Sequence, residues 1–457
     1  MPSEVSDMNP NKPGWQRGLE ALTEPMCAWS TRARWAALAV AMLLGVGAVL
    51  AIVPWAGVFH APDSSHYLQL AAGRTDVMQP FVSRQLGARV AAGLGLLLGG
   101  DLHAGFLVEA ALSLLFTMGV TGWLAMRTTA PRWLLAALML VASWPVLVLY
   151  LVLPDLWYAA LLACVLLLLS KEQYVAVALM MFPLMVSRES TSLTLVCFLA
   201  AGWATWDGAR RRRYTVIAIA TAAAGTLVVS RLSVGSQPNV EHLPEAIYVF
   251  AKVPWNFLRN VVGVLPWSDA NSDLCRVPVW SMPVHLGPVH ALGVCGFSMG
   301  QQMTAVDNTL RLFGILPLLV AMLWWRHRRW AGRSVLLRFA LLYGGLSFVL
   351  APVLGAGFGH LMQYAWPLFL VATPLLLDEF PTGSLTMGQR AASVGAFVVH
   401  LVLPAILLCP WFGRRIAMGL ALWVVGYLLL RHWLAGGVMQ APEDAVPGAK
   451  SPQLAQG

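Results

Sequence analysis

The chain has 457 residues and a formal net charge of +9, with 58% hydrophobic and only 11% charged residues and a mean hydropathy of +0.68. Its apolar residues come in blocks of about 20, the length that crosses a hydrocarbon core. Segments such as Trp35 to Val53 are apolar on every face, which excludes a β-barrel of alternating strands. The positive charge sits in short clusters between apolar blocks, so it reads as a determinant of membrane orientation and not as a nucleic-acid footprint.

In chain order, residues 1–35 are a cytoplasmic N-terminal segment, too long for the basic start of a cleavable signal, so Trp35 to Val53 reads as an uncleaved signal anchor. Arg17, Arg32 and Arg34 place the N-terminus in the cytoplasm by the positive-inside rule. Alternation then gives spans near 36–57, 103–125, 133–152, 155–170, 173–187, 190–206, 214–233, 309–325, 335–353, 364–377, 391–411 and 416–431. The expected fold class is all-α: a polytopic transmembrane helical bundle of about twelve spans, filling a transmembrane domain at 36–431. Arg127 and Arg132, Lys171, Arg210 to Arg213, Arg326 to Arg333, Arg390 and Arg431 all fall inside. The pair Arg414-Arg415 falls outside, which leaves the topology of the last two spans open. Residues 432–457 read as a disordered cytoplasmic tail rich in Ala, Pro and Gly.

Two long segments then lie on the outer side. The first, 58–102, holds two helix-like pieces, Ser64 to Ala72 and Arg84 to Leu98, expected to lie along the membrane surface. The second, 234–308, mixes prolines with Trp255, Trp267 and Trp280 and reads as an irregular folded loop, a lid or cap. Cys275 and Cys295 share this loop and would pair in an oxidising compartment, although sequence leaves their separation open.

Polar clusters interrupt the apolar sequence, and all fall on that same outer side. Asp63, after Pro62 and before a helical stretch, fits an N-cap; beside His66 and Tyr67 it also fits a general base taking a proton from an attacking hydroxyl. Arg84 and Arg89 fit either snorkelling to lipid phosphates or bidentate phosphate binding in a site. Asp155 in Pro154-Asp155 fits a helix cap. Arg188-Glu189 splits otherwise continuous apolar sequence, where a charge is costly. Neighbouring residues on a helix point apart, so the two need different partners, and Asp155 is a candidate for one of them. Further on, Gly355 to Gly359 and His360 form a turn leading into Gln363, Tyr364 and Trp366-Pro367. Its glycines lack the spacing and lysine of a P-loop and read as a hinge. His285, His290 and His360 are isolated and do not make a metal set.

The order of these features, Pro62-Asp63-Ser64-Ser65-His66-Tyr67, then Pro80-Phe81-Val82-Ser83-Arg84, Pro154-Asp155, Arg188-Glu189 and the late Tyr364 to Pro367 element, resembles the GT-C superfamily of polytopic membrane glycosyltransferases. The resemblance is carried mainly by residues 36–210. It implies an inverting transfer of a sugar from a polyprenyl-phosphate carrier to a hydroxyl of a lipid, glycan or protein acceptor. It further implies Asp63 as catalytic base, Arg84 and Arg188 as phosphate ligands, and His66, Tyr67, Asp155, Glu189, His360, Gln363 and Tyr364 as supporting or acceptor-site residues. The implied setting is a bacterial inner membrane with both termini cytoplasmic and the site on the periplasmic or extracellular side. Members often carry Arg before the late Tyr, where this chain has Gln363. No paired-acidic metal signature stands in the first loop, which favours an enzyme without a metal cofactor. A secondary transporter of a small polar solute and a polysaccharide polymerase or ligase are the rival readings.

Overall fold

The computed structural model describes residues 13–59, 63–149, 151–238, 252–270, 275–286, 289–326, 330, 333–354, 361–379, 385–406 and 411–435. His360, the glycines at 355–359 and the tail at 436–457 lie outside them.

The long helices start where a side chain takes up their first free N–H groups. Ser30 accepts from the Ala33 amide at the head of α2 (Thr31–Ile52). Asp101 accepts from His103 and Ala104 at the head of α5 (Leu102–Ala125), and Asp207 from Arg210 at the head of α12 (Gly208–Leu232). Ahead of α2, a short helix α1 (Gly14–Thr23) is held to the bundle: Glu24 pairs with Arg132 at 2.7 Å, and the Met26 amide donates to the Ala130 carbonyl at 2.9 Å.

Between α5 and α12 the apolar sequence forms short helices: α6 (Trp133–Met139), α7 (Ser143–Leu149), α8 (Asp155–Ser170), α9 (Tyr174–Leu179), α10 (Met181–Ser187) and α11 (Thr191–Trp203). Pro145 and Pro183 each stand one turn into the helix that follows a break, where the missing N–H and the ring end the helix before them. Later helices are α13 (Gly300–Phe313), α14 (Leu316–Arg326), α15 (Val335–Leu354), α16 (Ala372–Asp378), α17 (Met387–Ala405) and α18 (Phe412–Ala435).

Fewer helices than the expected spans are long enough on their own to cross a membrane. Among the described residues five helices, α2, α5, α12, α15 and α18, are long and apolar enough to cross a membrane, and α13 with α14, bent by 89°, would make a sixth. Several segments read as spans, among them 133–152 and 173–187, are pairs of short helices inside the bundle; hydropathy measures apolar length and does not see the proline breaks.

Helices do stand at the two pieces expected in the first outer segment, α3 (Ser64–Ala71) and α4 (Gln85–Leu97). The second half of α4 packs closely on the start of α5. An added Cβ at Gly105 would fall 2.1 Å from the Ala91 carbonyl oxygen and 2.7 Å from the Gly95 amide nitrogen, so only glycine permits this approach.

The segment at 234–308 differs from the expected irregular loop and from an all-α chain. It contains a three-stranded antiparallel sheet, β1 (Val264–Ser268), β2 (Trp280–Leu286) and β3 (Val289–Phe297), in the order β1-β3-β2. Pro266 and Pro283 argue against strands in the sequence, but both lie on edge strands, where a missing N–H is tolerated. Cys275 and Cys295 form a disulfide that ties the stretch before β2 to β3. Asn260 donates to the Pro352 carbonyl at 2.7 Å and Asn256 to that of Val353 at 3.3 Å, which pins the segment to the last turn of α15.

The arginine pair that broke the alternation of charge is a folded contact. Arg415 lies 2.9 and 3.0 Å from the two carboxylate oxygens of Asp307, which Arg311 also approaches at 2.8 Å, and Arg414 stacks on Trp411.

Gly105→Ala is expected to destabilise the fold by about 1–3 kcal/mol through overpacking against α4. Gly93→Ala on α4, where an added Cβ meets nothing within 4 Å, should be neutral or stabilising by up to about 1 kcal/mol. Thermal denaturation of both variants in detergent checks the contrast.

Candidate functional site

The polar side chains at the head of α3 and α4 are arranged around Phe81. The tight turn Phe81–Ser83 delivers Arg84 to the start of α4. His66 stacks flat on Phe81 with ring centroids 4.4 Å apart, and Tyr67 meets its edge at 5.9 Å. Tyr67 is buried, and its hydroxyl accepts from Arg84 Nη1 at 3.0 Å. Arg84 also grips Glu189 bidentately with one edge of its fork: Nε donates to Oε2 at 3.0 Å and Nη2 donates to Oε1. Arg89, one turn along α4, reaches its neighbour Gln85 at 3.4 Å.

Glu189 is available to Arg84 because α10 stops at Ser187. Arg188 is extended, with φ −165° and ψ 140°, so consecutive side chains leave the chain in different directions. Arg188 goes inward, where Nη1 donates to Asp155 Oδ1 at 2.6 Å and to the Tyr364 hydroxyl, while Tyr364 donates to the same carboxylate oxygen. The guanidinium also stands over the Tyr364 ring, 4.6 Å from its centroid. This trio is closed to solvent, with the Arg188 side chain 8% and that of Asp155 4% exposed. Tyr158, one turn into α8, packs edge-on against Tyr364 and shares a hydrogen bond of 2.8 Å with Thr194 of α11.

The electrostatics follow from this geometry. Burial pushes the Tyr67 phenol up to about 12 against the opposing charges of Arg84 and Arg188, so it remains a neutral hydroxyl. Glu189 is partly desolvated, which alone would raise its carboxyl, yet the Arg84 charge and hydrogen bonds hold it down at about 2.

Asp63 behaves differently from every other acid here. It occupies the N-cap position of α3, with φ −90° and ψ −4°, but its side chain accepts no capping bond, which overturns the capping role open to it in the sequence. Its carboxylate forms no ion pair or hydrogen bond among the described residues. It stands one turn before Tyr67, on the same side of the helix. Asp155 opens α8 but spends its carboxylate on Arg188 and Tyr364. Gln363 is fully buried beside Tyr364. His360 lies outside the described residues.

Three buried polar atoms at this end have no hydrogen-bond partner among the described residues: Ser64 Oγ, Trp157 Nε1 and Ser190 Oγ. They stand next to Asp63, two residues after Asp155 and next to Glu189, and Trp157 packs on Gly87 of α4. Sequence reading gave Ser64 and Ser190 no role within their polar clusters and missed Trp157, Tyr158 and Thr194, since uncharged residues in apolar runs give no signal of their own. No group of three or more His, Cys, Asp or Glu side chains placed to hold a metal ion occurs among the described residues.

No family model and no curated protein matches the sequence. Among solved structures the chain is similar to the crystal structure of ArnT from Cupriavidus metallidurans bound to undecaprenyl phosphate, with 15% sequence identity and a TM-score of 0.43, over 86% of this chain and 76% of that one.

The Arg84–Glu189 pair gives acid sensitivity of defined sign. A depressed carboxyl contributes stability that is full above its ordinary value near 4.5 and disappears as pH falls towards about 2. Acid unfolding followed by tryptophan fluorescence should show wild type losing stability more steeply than Glu189→Gln across that window. Parallel curves would contradict the pairing.

Proposed function

We propose that this chain is a membrane glycosyltransferase of the GT-C type, moving a sugar from a polyprenyl-phosphate carrier to an acceptor hydroxyl at the outer face of the membrane. One observation carries the reading. Residues 63–84, Asp155, Arg188-Glu189 and Tyr364, remote in sequence, gather at one end of the helical bundle, and Asp63 is the acid there whose carboxylate has no ion pair or hydrogen bond among the described residues.

The acceptor oxygen attacks the anomeric carbon, its proton passes to the Asp63 carboxylate, and the bond from that carbon to the carrier phosphate breaks with the electron pair leaving on the phosphate. Attack from the face opposite the leaving group inverts the anomeric centre. The departing negative charge falls to the guanidinium groups of Arg84 and Arg188, which suit phosphoryl oxygens by their planar fork. Among the described residues Arg188 bonds Asp155 and Tyr364 through Nη1, and the remaining edge of its fork is the part suited to a phosphate. His66 and Tyr67 border Asp63 on the acceptor side, Asp155, Glu189 and Tyr364 hold the arginines in place, and Gln363 supports the site from its buried place beside Tyr364. The unpartnered polar atoms of Ser64, Trp157 and Ser190 fit contacts to a hydroxyl-rich sugar. Leu96 and Leu97, at 77% and 83% exposure, give the far end of α4 an apolar surface suited to lipid. The disulfide in the second outer segment agrees with an oxidising compartment on that side.

The test is purified protein offered polyprenyl-phosphate sugars and a hydroxyl acceptor, with the free carrier phosphate measured. Asp63→Asn should lose at least about 100-fold in rate, the scale of removing a general base. Turnover by the variant equal to wild type would remove Asp63 from the mechanism.

A further inference from the structure

The end of the bundle away from the polar cluster carries a feature that the proposed chemistry does not use. A lateral groove of ≈ 550 Å³ opens between α2, α5 and α8, walled by Trp35, Met42, Phe116, Gly119 and Trp123, with Lys171 at its mouth. Its position is set by α8. Asp155 begins that helix at the cluster and Lys171 follows its last residue, so 16 residues separate the two ends, about 24 Å of helical rise. Trp123 likewise stands in the last turn of α5, far from Asp101 at its head.

The walls are apolar and the charge is one-sided. Lys171 is the charged residue that lines the groove, no carboxylate lines it, and Arg127 stands over the Trp123 ring at 4.5 Å from its centroid. The groove is continuous with the outward face of α2, where Trp35, Leu43 and Leu44 are exposed on a helix of which 22% of the apolar window is buried. An occupant must therefore combine a flexible apolar tail with an anionic head at the depth of Lys171. Tryptophans and basic side chains at one level are the residues that sit at a membrane interface.

We propose that this groove binds an anionic glycerophospholipid of the leaflet opposite to the polar cluster. One acyl chain lies along Met42, Phe116 and Gly119, and the phosphate is met by Lys171 and Arg127. Gly119 is the position that leaves room for the chain: an added Cβ there comes no nearer than 3.8 Å to the Met42 side chain, so a larger residue fills the groove without displacing backbone. Ordinary snorkelling of Lys171 predicts no such dependence on position 119.

Full-length protein purified in neutral detergent is incubated with dioleoyl-phosphatidylglycerol, dioleoyl-phosphatidylcholine or sn-glycerol 3-phosphate, and bound lipid is counted by native mass spectrometry alongside the thermal midpoint. Wild type should retain phosphatidylglycerol over phosphatidylcholine, and Lys171→Gln should lower that preference by about fivefold, the weight of one basic residue at a lipid surface. Gly119→Leu should abolish retention of both lipids while its midpoint in lipid-free detergent stays at the wild-type value. Equal retention of the two lipids by wild type, unchanged retention by Gly119→Leu, or competition by glycerol phosphate alone would each overturn the proposal. Should Gly119→Leu not fold, the change of preference in Lys171→Gln decides.

Discussion

The buried ion pair between Arg188 and Asp155, completed by the Tyr364 hydroxyl, is the constraint on which this end of the molecule depends. Two charges removed from water cost several kcal/mol each, and only close geometry with further hydrogen bonds offsets that cost. The trio therefore forms only if the head of α8, the break between α10 and α11 and the 362–365 turn all arrive together. Once they do, the extended backbone at Arg188 turns Glu189 the other way, towards Arg84, and the second ion pair fixes the start of α4 and the buried Tyr67 on α3. Two adjacent charges of opposite sign thus join five stretches of chain. Asp63, one turn from Tyr67, is carried to the same place without being consumed by it.

The remainder of the bundle supports that end. Short helices broken at Pro145 and Pro183 fill the interior, while longer apolar helices such as α2 and α12 keep most of their surface outward. Glycines set the closest approaches: Gly105 lets α4 lie on α5, and Gly344 of α15 lies against the backbone of Leu368, beyond Tyr364. A small sheet, stapled by Cys275–Cys295 and held to α15 through Asn256 and Asn260, adjoins the same end. At the opposite end the chemistry is reversed, with tryptophans and basic side chains around an apolar groove.

The parts of this arrangement legible in the sequence were those that violated composition. Arg188-Glu189 stood out because charge inside apolar sequence is costly, and helix geometry already required the two to have different partners. Asp155 and Arg84 were legible for the same reason. Tyr364 was named from its place in the late element, but its bond to a carboxylate 209 residues away cannot be read from spacing. Tyr158, Thr194 and Trp157 were invisible, since a hydroxyl or indole in an apolar run alters hydropathy little. Windows of hydropathy run across proline breaks, so segments read as single spans are pairs of short helices, and the strands were missed because edge strands tolerate the prolines that argue against a strand. The capping role of Asp63 failed for a local reason: its backbone is not in the extended conformation from which a side chain reaches back to the helix amides.

The account is tested most directly by a double-mutant cycle at the buried pair, with Asp155→Leu and Arg188→Met measured singly and together by chemical denaturation in detergent. Leaving either charge buried without its partner should cost about 3–5 kcal/mol, and removing both should restore most of that loss. Single losses that simply add in the double variant would show that Arg188 and Asp155 do not hold each other, and the geometry built on them would fall.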